Sequence, residues 1–591
     1  MIKELSDLGK ILRKQNEEGK IIHDALKDEP ISIDLIIKKD GSFYRFETIE
    51  KIWRPAEAIT AKKGKARLLL DKAEEVLGYG EDGKKHELFI RKLTDYSYLD
   101  ILKPVFDFYY TNKESGVKKA LSEFESQVDE KERNGNIAFR IANDDSRLHE
   151  KKKVYEAIIE AYENNKKSKL GSSKITCSIC GEKGNPVEDV PHGMIRGVPD
   201  GQPSGCALVS YNENAFESYD LTGNLNSKIC TGCARTYVEG LNWLMSNGET
   251  QTILAKNKKE KKIFKYTNRK NFGADTAIVF WTKNNQKVSE LDLFDNPDTG
   301  AVANLIESVF GGDQKKAKYV DPDRFYSCTL SGSAARIAVR DWIEMNLDDI
   351  KKAIALWFED IKVQAWGEIY YSPLYSMANC AQNEKSDNKT TVSRIAAHLW
   401  RSSLKGTAPP LWILTAVLKR IRIIENADGG GTKESITPER AALIRLIINR
   451  NYKGGTMLSE KLDDNNYSPP YVCGRIFSVL ESIQRAALGK DINAGIRERF
   501  FSFASTNPSS AFGRLMRLSQ NHLTKLKTEK AGLAVVLDRE LQELFSKIKE
   551  FPVIFSLEEQ GQFAIGYYHQ KQDTWQKAKN SAEMKSATEE I

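Results

Sequence analysis

The sequence lacks the features of several protein classes. It contains no stretch of about 18 apolar residues, so we expect no transmembrane helix and no membrane partner. Residues 1–15 lack the long apolar run of a signal peptide, and their apolar side chains follow the spacing of an amphipathic helix. We therefore expect a protein that stays in the cytoplasm.

The motifs of common enzyme classes are also missing. The chain has only seven histidines, and none of them forms a metal motif with spaced partners. It has no GxxxxGK[ST] phosphate loop and no GxSxG nucleophile elbow. Acidic pairs at 463–464 and 558–559 are of the kind that holds magnesium in nucleases, but isolated pairs are mostly solvated. These absences favour a binding protein over an enzyme.

Positive charge is concentrated in patches. The net charge is only +7, yet residues 389–424 carry seven basic residues and no acid. Residues 256–270 carry eight basic residues and one acid, and residues 475–527 carry nine basic residues and three acids. Such a distribution indicates nucleic-acid contacts more strongly than the net charge does.

The eight cysteines include two CxxC pairs, which are Cys177 with Cys180 and Cys230 with Cys233. Each pair can place two thiolates on one tight turn, and two such turns complete a tetrahedron around zinc. Four thiolates leave no open coordination position, so we predict one structural zinc. Unrelated buried thiols and a redox pair are the alternatives, although neither pair shows the strand-to-helix context of a redox motif. His192 and Cys206, which lie between the pairs, could be spare ligands or ordinary loop and core residues.

The predicted fold is α+β, with a mixed N-terminal domain that carries a zinc-ribbon insertion and a mainly α-helical C-terminal region. Strands are predicted at 31–38, 43–46 and 137–141, and after about residue 300 the pattern is almost entirely helical. Thr437 and Pro438 predict the start of a helix that ends near Arg450. The predicted parts are an N-terminal mixed domain (1–170), the zinc ribbon (171–240), the remainder of the N-terminal domain (241–330), a helical region (331–450) and a C-terminal helical bundle (451–591).

Several patches contain candidate nucleic-acid ligands. A flexible basic loop before a helix can bind phosphate, and the lysines of 256–270 alternate with aromatic residues that can stack on bases. Arg336 and Arg340 are four residues apart, which predicts one helix face, and Asp341 could pair with either of them. Gln202 could read a base edge, most naturally adenine in the major groove, or wedge into the minor groove. Its alternative is a turn residue of a Gly/Pro-rich loop. For the other patches, solvated loops, a surface hairpin and structural ion pairs are the alternatives. The candidates are Lys62, Lys63, Lys65, Arg67, Gln202, Lys258, Lys259, Arg336, Arg340, Arg394, Arg401, Lys405, Arg497, Arg499, Arg514 and Arg517.

Six long segments resemble, in the same order and spacing, signatures of one family, the large subunits of type I-C CRISPR Cascade (surveillance) complexes. They are SGCALVSYNENAFESY (204–219), LSGSAARIAVRDW (330–342), ITPERAALIRLIINR (436–450), YVCGRIFSVLESIQRAALG (471–489), INAGIRERFFSFASTNPSSAFGRLMRLSQNHL (492–523) and SLEEQGQFAIGYYHQ (556–570). The resemblance covers nearly the whole chain and is closest in the middle and the C-terminal third.

The resemblance implies a role in antiviral defence. The large subunit would bind guide RNA and target DNA beside the other Cascade backbone subunits, recognise the protospacer-adjacent motif (PAM) in duplex DNA and aid unwinding. It would then hold the displaced strand of the R-loop and dock a helicase–nuclease. A zinc-containing nuclease or nucleotidyltransferase subunit is the alternative of another class, and a free-standing DNA-binding regulator is a third.

A second product could start inside the chain. Met457 follows residues 453–456 (KGGT), which a purine-rich run resembling a bacterial ribosome-binding site can encode. The C-terminal helical bundle is of a size that can fold alone, and the resemblance implies such a small subunit. It is expected to expose Arg475, Arg497 and Arg514. The alternative is that the Lys-Gly-Gly sequence is only a loop.

Overall fold

The computed structural model describes residues 1–15, 25–59, 66–80, 83–168, 175–184, 187, 192–254, 260–311, 323–382, 389–423, 435–451, 457–489 and 495–589. The chain divides into two compact units. The first consists of residues 1–194 and 207–241, and the second of residues 195–206 and 242–591. Residues 195–206 of the predicted zinc-ribbon insertion therefore belong to the second unit.

The first unit is built around a four-stranded sheet in the order β2-β1-β4-β3, in which β1 and β4 are parallel and the other pairs antiparallel. Its strands are β1 (Leu26–Ile37), β2 (Phe43–Glu57), β3 (Leu70–Asp71) and β4 (Ile137–Ile141). Its helices are α1 (Ile2–Gln15), α2 (Ala73–Leu77), α3 (Gly83–Thr94), α4 (Lys103–Phe106), α5 (Lys119–Gln127) and α6 (Lys152–Ser168). The three strands predicted in this part are confirmed.

The central strand β1 is buried on both faces from Ile31 to Ile37, as expected for an apolar run in the middle of a covered sheet. The run is interrupted by Asp34, whose side chain is fully buried. Arg147 donates to its two oxygens at 2.7 and 2.9 Å, and Arg140 donates at 3.3 Å. A buried carboxylate needs such partners, so these two arginines are structural.

The cysteine-rich segment contains short strands. They are β5 (Ile175–Thr176), β6 (Lys183–Gly184), β7 (Met194–Ile195) and β8 (Cys206–Ala207). Helix α7 (Thr231–Ser246) follows it, beginning in the first unit and ending in the second.

The second unit begins with strands and continues with helices. Its strands are β9 (Gly248–Leu254), β10 (Glu260–Tyr266), β11 (Arg269–Phe272), β12 (Thr276–Thr282), β13 (Arg324–Ser333), β14 (Arg336–Asn346), β15 (Val363–Ala365) and β16 (Glu368–Tyr370). Strands β11 to β14 form an antiparallel sheet in chain order, which β8 and β7 extend. The helices are α8 (Thr299–Phe310), α9 (Leu347–Ile361), α10 (Leu374–Asn379), α11 (Lys389–Lys405), α12 (Leu411–Arg422), α13 (Pro438–Asn451), α14 (Pro469–Leu488), α15 (Ile496–Ala504), α16 (Pro508–Glu529), α17 (Ala531–Phe545) and α18 (Leu557–Glu589).

The α+β prediction is confirmed, but the helix predicted across residues 330–342 is wrong. This segment contains the end of β13, the turn of the β13–β14 hairpin and the first part of β14, so Arg336 and Arg340 lie on a strand. Helix propensity is a weak prior, and pairing along the whole length of β13 overrides it. The helix predicted from Thr437 and Pro438 is confirmed as α13. None of the described helices is long and apolar enough to cross a membrane.

One hydrophobic core extends from Phe272 in β11 to Tyr568 in α18. It includes the buried faces of the helices before and after residue 450. At its C-terminal end, α14 packs closely on α18 through two reciprocal glycines. A Cβ atom on Gly474 would lie 2.0 Å from the Phe563 carbonyl oxygen, and one on Gly566 would lie 2.1 Å from that of Tyr471.

We expect Gly474→Ala and Gly566→Ala each to lower the free energy of unfolding by about 2 kcal/mol or more, because the added methyl group forces two backbones apart. Gly513→Ala is the matched control, because this glycine lies in α16 and a Cβ there meets no atom within 4 Å. The control should raise stability by up to about 1 kcal/mol. Thermal and denaturant unfolding measure the difference, and equal effects at the three positions would contradict the close helix contact.

Candidate metal centre and nucleic-acid interface

Four cysteine side chains converge in the first unit. The sulfur atoms of Cys177, Cys180, Cys230 and Cys233 all lie within 4.8 Å of one another, and those of Cys180 and Cys230 are 4.0 Å apart. Among the described residues, this is the group that could hold a metal ion. The spacing suits four thiolates around one tetrahedral ion. The predicted ligand set is therefore brought together as a cluster.

Local structure explains the convergence. The first pair lies on the turn between β5 and β6, where Gly181 adopts a φ of +75° and donates to the Cys177 carbonyl at 2.9 Å. The second pair lies at the N-terminus of α7. The sequence predicted no helix after either cysteine pair, and that prediction is wrong for the second pair. A helix N-terminus favours thiolates, which also suits metal ligands.

Backbone N–H groups stabilise the Cys177 thiolate. Burial acts to raise the pKa of this thiol, but hydrogen bonds from the backbones of Cys180, Cys230 and Ile179 outweigh burial and lower the pKa to about 6. The amides of Cys230 and Ile179 lie 3.3 and 3.4 Å from its sulfur. Burial and the neighbouring Cys230 thiolate instead raise the pKa of Cys233. A bound cation would allow all four thiolates to form together.

His192 and Cys206 are not part of the cluster. His192 is buried, and its Nε2 lies 3.2 Å from the Ser227 hydroxyl. Cys206 belongs to the second unit, and its thiol contacts the Ala334 carbonyl at 3.3 Å. Both are therefore ordinary loop and core residues, which is the alternative to spare metal ligands.

In the second unit, the loop that carries Gln202 is attached to the turn of the β13–β14 hairpin. The Gln202 amide donates to the Ala334 carbonyl at 3.1 Å, and the Gly332 amide donates to the Pro199 carbonyl at 2.9 Å. A Cβ atom on Gly332 would lie only 2.5 Å from the Gly201 nitrogen, so glycine permits this backbone-to-backbone approach. The Gln202 side chain itself remains exposed.

Arg336 and Arg340 are exposed on the same hairpin. Arg336 is the first residue of β14 after the turn. Arg340 is the extra residue of a β-bulge, and its Nε donates to the Ser331 hydroxyl at 2.9 Å. Gln202, Arg336 and Arg340 are therefore all carried on the backbone of this hairpin and of the loop attached to it, and the bulge can redirect the Arg340 side chain.

Helix α11 brings further basic residues to this hairpin. Arg401 forms an ion pair with Asp341, and Lys405 donates to the Trp342 carbonyl at 3.4 Å. Arg394 is exposed and lies over the Trp412 ring at 5.2 Å. Arg336 or Arg340 was the predicted partner of Asp341, but the ion-pair partner of Asp341 in the structure is Arg401. Two patches that are separate in sequence therefore form one surface, which we call the hairpin–helix surface (Gln202, Arg336, Arg340, Arg394, Arg401 and Lys405).

The C-terminal arginines divide into exposed and buried sets. Arg499, Arg514 and Arg517 are exposed on α15 and α16, and none of them has an ion-pair partner within the described residues. Arg497 is only 7% exposed and donates to the Ser435 hydroxyl. Arg475 is 4% exposed and binds Gln570 and Asp464 at 2.8 and 2.7 Å. In the full chain, helix packing therefore buries both of them. The exposure expected in a product that starts at Met457 is wrong for Arg475, whose partners Gln570 and Asp464 lie in that product. It stays a prediction for Arg497, because Ser435 lies before Met457.

Of the N-terminal candidates, Arg67 is mostly buried and pairs with Glu29 at 2.9 Å and with Asp71 at 3.5 Å. Its position favours the structural alternative. Some predicted residues lie outside the described part of the chain. They are Lys62, Lys63, Lys65, Lys258 and Lys259. The described part of the lysine-rich segment 256–270 is residues 260–270, which form β10 and the start of β11. Strand β10 pairs with β9, and Phe264 is about half exposed.

Sequence reasoning missed one feature of β2, two exposed aromatic rings that each lie beside a basic side chain. Tyr44 and Trp53 are about half exposed on this strand. Arg45 lies over the Tyr44 ring at 5.6 Å, and Lys51 lies over the Trp53 ring at 5.9 Å. The alternating pattern of residues 43–54 (FYRFETIEKIWR) is the signal that could have identified it.

Comparison with known proteins supports the CRISPR-associated part of the resemblance found in the sequence. The family model described as CRISPR-associated protein (Cas_Csd1) matches residues 5–575, which is nearly the whole chain. No curated protein matches this sequence. Because the match spans both units and includes the cysteine cluster and the hairpin–helix surface, the chain belongs to the Cas_Csd1 family of CRISPR-associated proteins.

Proposed function

We propose that this protein is the large subunit of a type I-C CRISPR Cascade complex that recognises the PAM in duplex DNA. It would aid unwinding, hold the displaced strand and offer a docking surface for a helicase–nuclease, in the cytoplasm. Guide RNA would read the target by base pairing, with the other Cascade subunits forming the backbone. Family membership supports a role in a CRISPR assembly. The observation that carries the DNA-binding role is the attachment of the exposed Gln202 to the arginine hairpin.

The hairpin–helix surface has the two kinds of group that duplex recognition requires. A glutamine amide can form two hydrogen bonds with an adenine edge, and it does so selectively only when its backbone is held in place. Arginines bind phosphates and fix the register of the protein on the duplex. Here one hairpin turn holds both, so Gln202 would read bases while Arg336 and Arg340 bind the backbone.

The exposed arginines of the helices suit a strand that has left the duplex. Arg394 combines charge with the Trp412 ring, and Arg514 lies over the Phe500 ring at 5.4 Å. Charge beside aromatic faces neutralises phosphates and stacks on unpaired bases. We therefore assign the displaced strand to the outer faces of α11, α15 and α16, with Arg499 and Arg517 among its ligands.

Substitutions of Gln202 and of the arginines should distinguish base reading from phosphate binding. We expect Gln202→Ala to change which motif the assembled complex prefers, with little effect on the salt dependence of binding. Arg336→Ala with Arg340→Ala should weaken binding to every duplex and flatten the salt dependence, because phosphate contacts release counterions. Titration of labelled duplexes at several salt concentrations measures both. Arg539→Ala, at an exposed arginine of α17, is the control.

Gly332→Ala tests whether the hairpin positions the loop. Its methyl group would displace residues 199–201, so it should reproduce the effect of Gln202→Ala while all arginines remain. An unchanged motif preference in both variants would refute the assignment of Gln202. A loss of complex assembly would instead place these residues at a protein or guide-RNA contact.

We also propose that the cysteine cluster holds one structural zinc ion. Four cysteine ligands would leave no position for water or substrate, which does not suit a metal nuclease or nucleotidyltransferase. We therefore favour a binding protein without catalytic activity of its own. A metal-dependent cleavage assay on the purified chain would reveal the alternative.

Metal analysis of the purified protein should give about one zinc per chain. Cys177→Ser with Cys180→Ser should abolish it and make residues 175–237 sensitive to proteolysis, because metal binding and local folding are coupled. Cys380→Ser is the control, since this thiol lies outside the cluster. A folded, metal-free wild-type protein would contradict the proposal.

We propose further that Met457 starts a small subunit that joins the same assembly. Met457 is 59% exposed at the beginning of a segment in which α14 packs against α16, α17 and α18. In the full chain, α13 holds the residue after it, since Asn449 and Leu458 exchange two hydrogen bonds of 2.8 and 2.9 Å. A separate product would lack α13 and expose an apolar face for assembly. Arg514 would then be available to nucleic acid, whereas Arg475 would remain in its pairs with Gln570 and Asp464.

Mass spectrometry of the assembled complex should show a protein that begins at Met457. Synonymous recoding of residues 453–455 should remove this band and leave the full-length chain unchanged, because it alters only the ribosome-binding sequence. Recoding of an equal stretch elsewhere is the control. Persistence of the band after recoding, or its absence from the wild type, would contradict the internal start.

A further inference from the structure

A tight turn in the first unit carries a tyrosine in an unusual backbone conformation. The Leu221 amide donates to the Ser218 carbonyl at 3.0 Å, and the two central residues, Tyr219 and Asp220, have φ angles of +53° and +58°. This is the geometry of a type I′ turn, which strongly favours Asn and Gly. For a bulky side chain such as tyrosine, a positive φ is strained. The position is therefore not explained by turn stability.

Side-chain hydrogen bonds hold the backbone of this turn and of the residues after it in place. The Asn226 side-chain amide donates to the carbonyls of Leu221 and Gly223 at 2.8 and 3.0 Å, and its oxygen accepts from the Ser218 amide at 3.4 Å. The Glu217 carboxylate accepts from the Gly223 amide at 2.6 Å. The backbone is thus well determined, and the conformation of Tyr219 is imposed by its surroundings.

The tyrosine ring has no packing role that would compensate for the strain. Its residue is 94% exposed, more than any other large apolar or aromatic residue among the described ones that are exposed. Phe216, three residues earlier at the end of a 3-10 turn, is 38% exposed. Residues 213–221 therefore present two aromatic side chains on a preorganised backbone. Preorganised exposed aromatic residues are typical of binding hot spots.

The charge around the turn indicates the class of partner. In a chain with net charge +7, residues 207–227 of the first unit contain no lysine or arginine and carry three acids. These acids, Glu213, Glu217 and Asp220, all lie within the turn segment itself. Carboxylates repel a phosphate backbone, so this segment does not suit nucleic acid. They attract a basic protein surface, which would surround the ring of Tyr219 with lysines or arginines.

We propose that residues 213–221 are a docking segment for another protein subunit of the assembly, one that presents a basic surface with an apolar pocket for Tyr219. The proposal rests on the proposed function in taking its partner from the Cascade complex. It adds a contact that nucleic-acid binding does not require. Electrostatic attraction would speed association, and the buried tyrosine ring would slow dissociation.

Binding of the full chain to a complex that contains the guide RNA and all other subunits tests the proposal. Tyr219→Asn suits the turn, so it should keep or raise the melting temperature while weakening this binding at least tenfold. Tyr219→Phe should keep most of the affinity, and Asp220→Asn, which also suits the turn, should weaken it and reduce its salt dependence. Tyr98→Ala is the control, because Tyr98 is 64% exposed elsewhere in the same unit.

The outcomes separate the two proposals. If wild-type protein does not join the guide-containing complex, the proposed function fails. If it joins and Tyr219→Asn joins equally well, the docking segment is refuted while the proposed function stands. If the Tyr219→Asn variant joins normally but, as an isolated chain, binds target DNA more weakly than the wild-type chain does, the tyrosine contacts nucleic acid. The proposal of a protein partner is then overturned.

Discussion

The backbone contact between the Gln202 loop and the β13–β14 turn is the constraint on which the proposed DNA-reading surface depends. It uses amide and carbonyl groups of both segments and requires glycine at 332, where any side chain would occupy the space of the loop. A glutamine on a free loop would lose entropy on binding DNA, whereas one held by a sheet has already lost it. This contact turns an ordinary Gly/Pro-rich loop into a candidate reading element.

The cost of burying charge explains why some arginines of the second unit are structural and others remain exposed. A guanidinium inside a protein must find acceptors, and Arg445 shows how: it is 7% exposed and donates to the carbonyls of Leu458 and Ser459 and to carbonyls near the end of α9. Arg475 and Arg497 are held in comparable ways. They organise the helices and leave phosphate binding to arginines such as Arg514 and Arg517, which have no such partners among the described residues.

The cysteine cluster and the acidic turn belong to the same segment of the first unit but have different proposed roles, metal binding and protein docking. The cluster is built from the turn of a hairpin whose strands are only two residues long and from the N-terminus of α7, a helix of 16 residues. The hairpin by itself is too short to be stable without a cross-link. Asn226, which holds the Tyr219 turn, lies four residues before Cys230. Metal binding would therefore also stabilise the region that presents the tyrosine.

Much of this could be predicted from local patterns. The two CxxC pairs, the strands around residue 33 and the start of α13 depend on spacing, alternation and capping, which act over a few residues. The family could be identified because long motifs occur in a fixed order. Local patterns failed at residues 330–342. The helical spacing of Arg336 and Arg340 was overridden because β14 pairs with β13 along its whole length.

The same distinction applies to the candidate site. Charge patterning identified the basic segments by itself, and it was enough to supply Arg336, Arg394 and Arg514 as candidates. It could not tell Arg497 from Arg499, because two residues along a helix decide whether a guanidinium meets Ser435 inside or water outside. Nor could it join Asp341 to Arg401, which are 60 residues apart. Sequence by itself determined which residue types are present and their local order. Only the tertiary structure decided which of them share a surface, because burial and long-range pairing depend on contacts between distant parts of the chain.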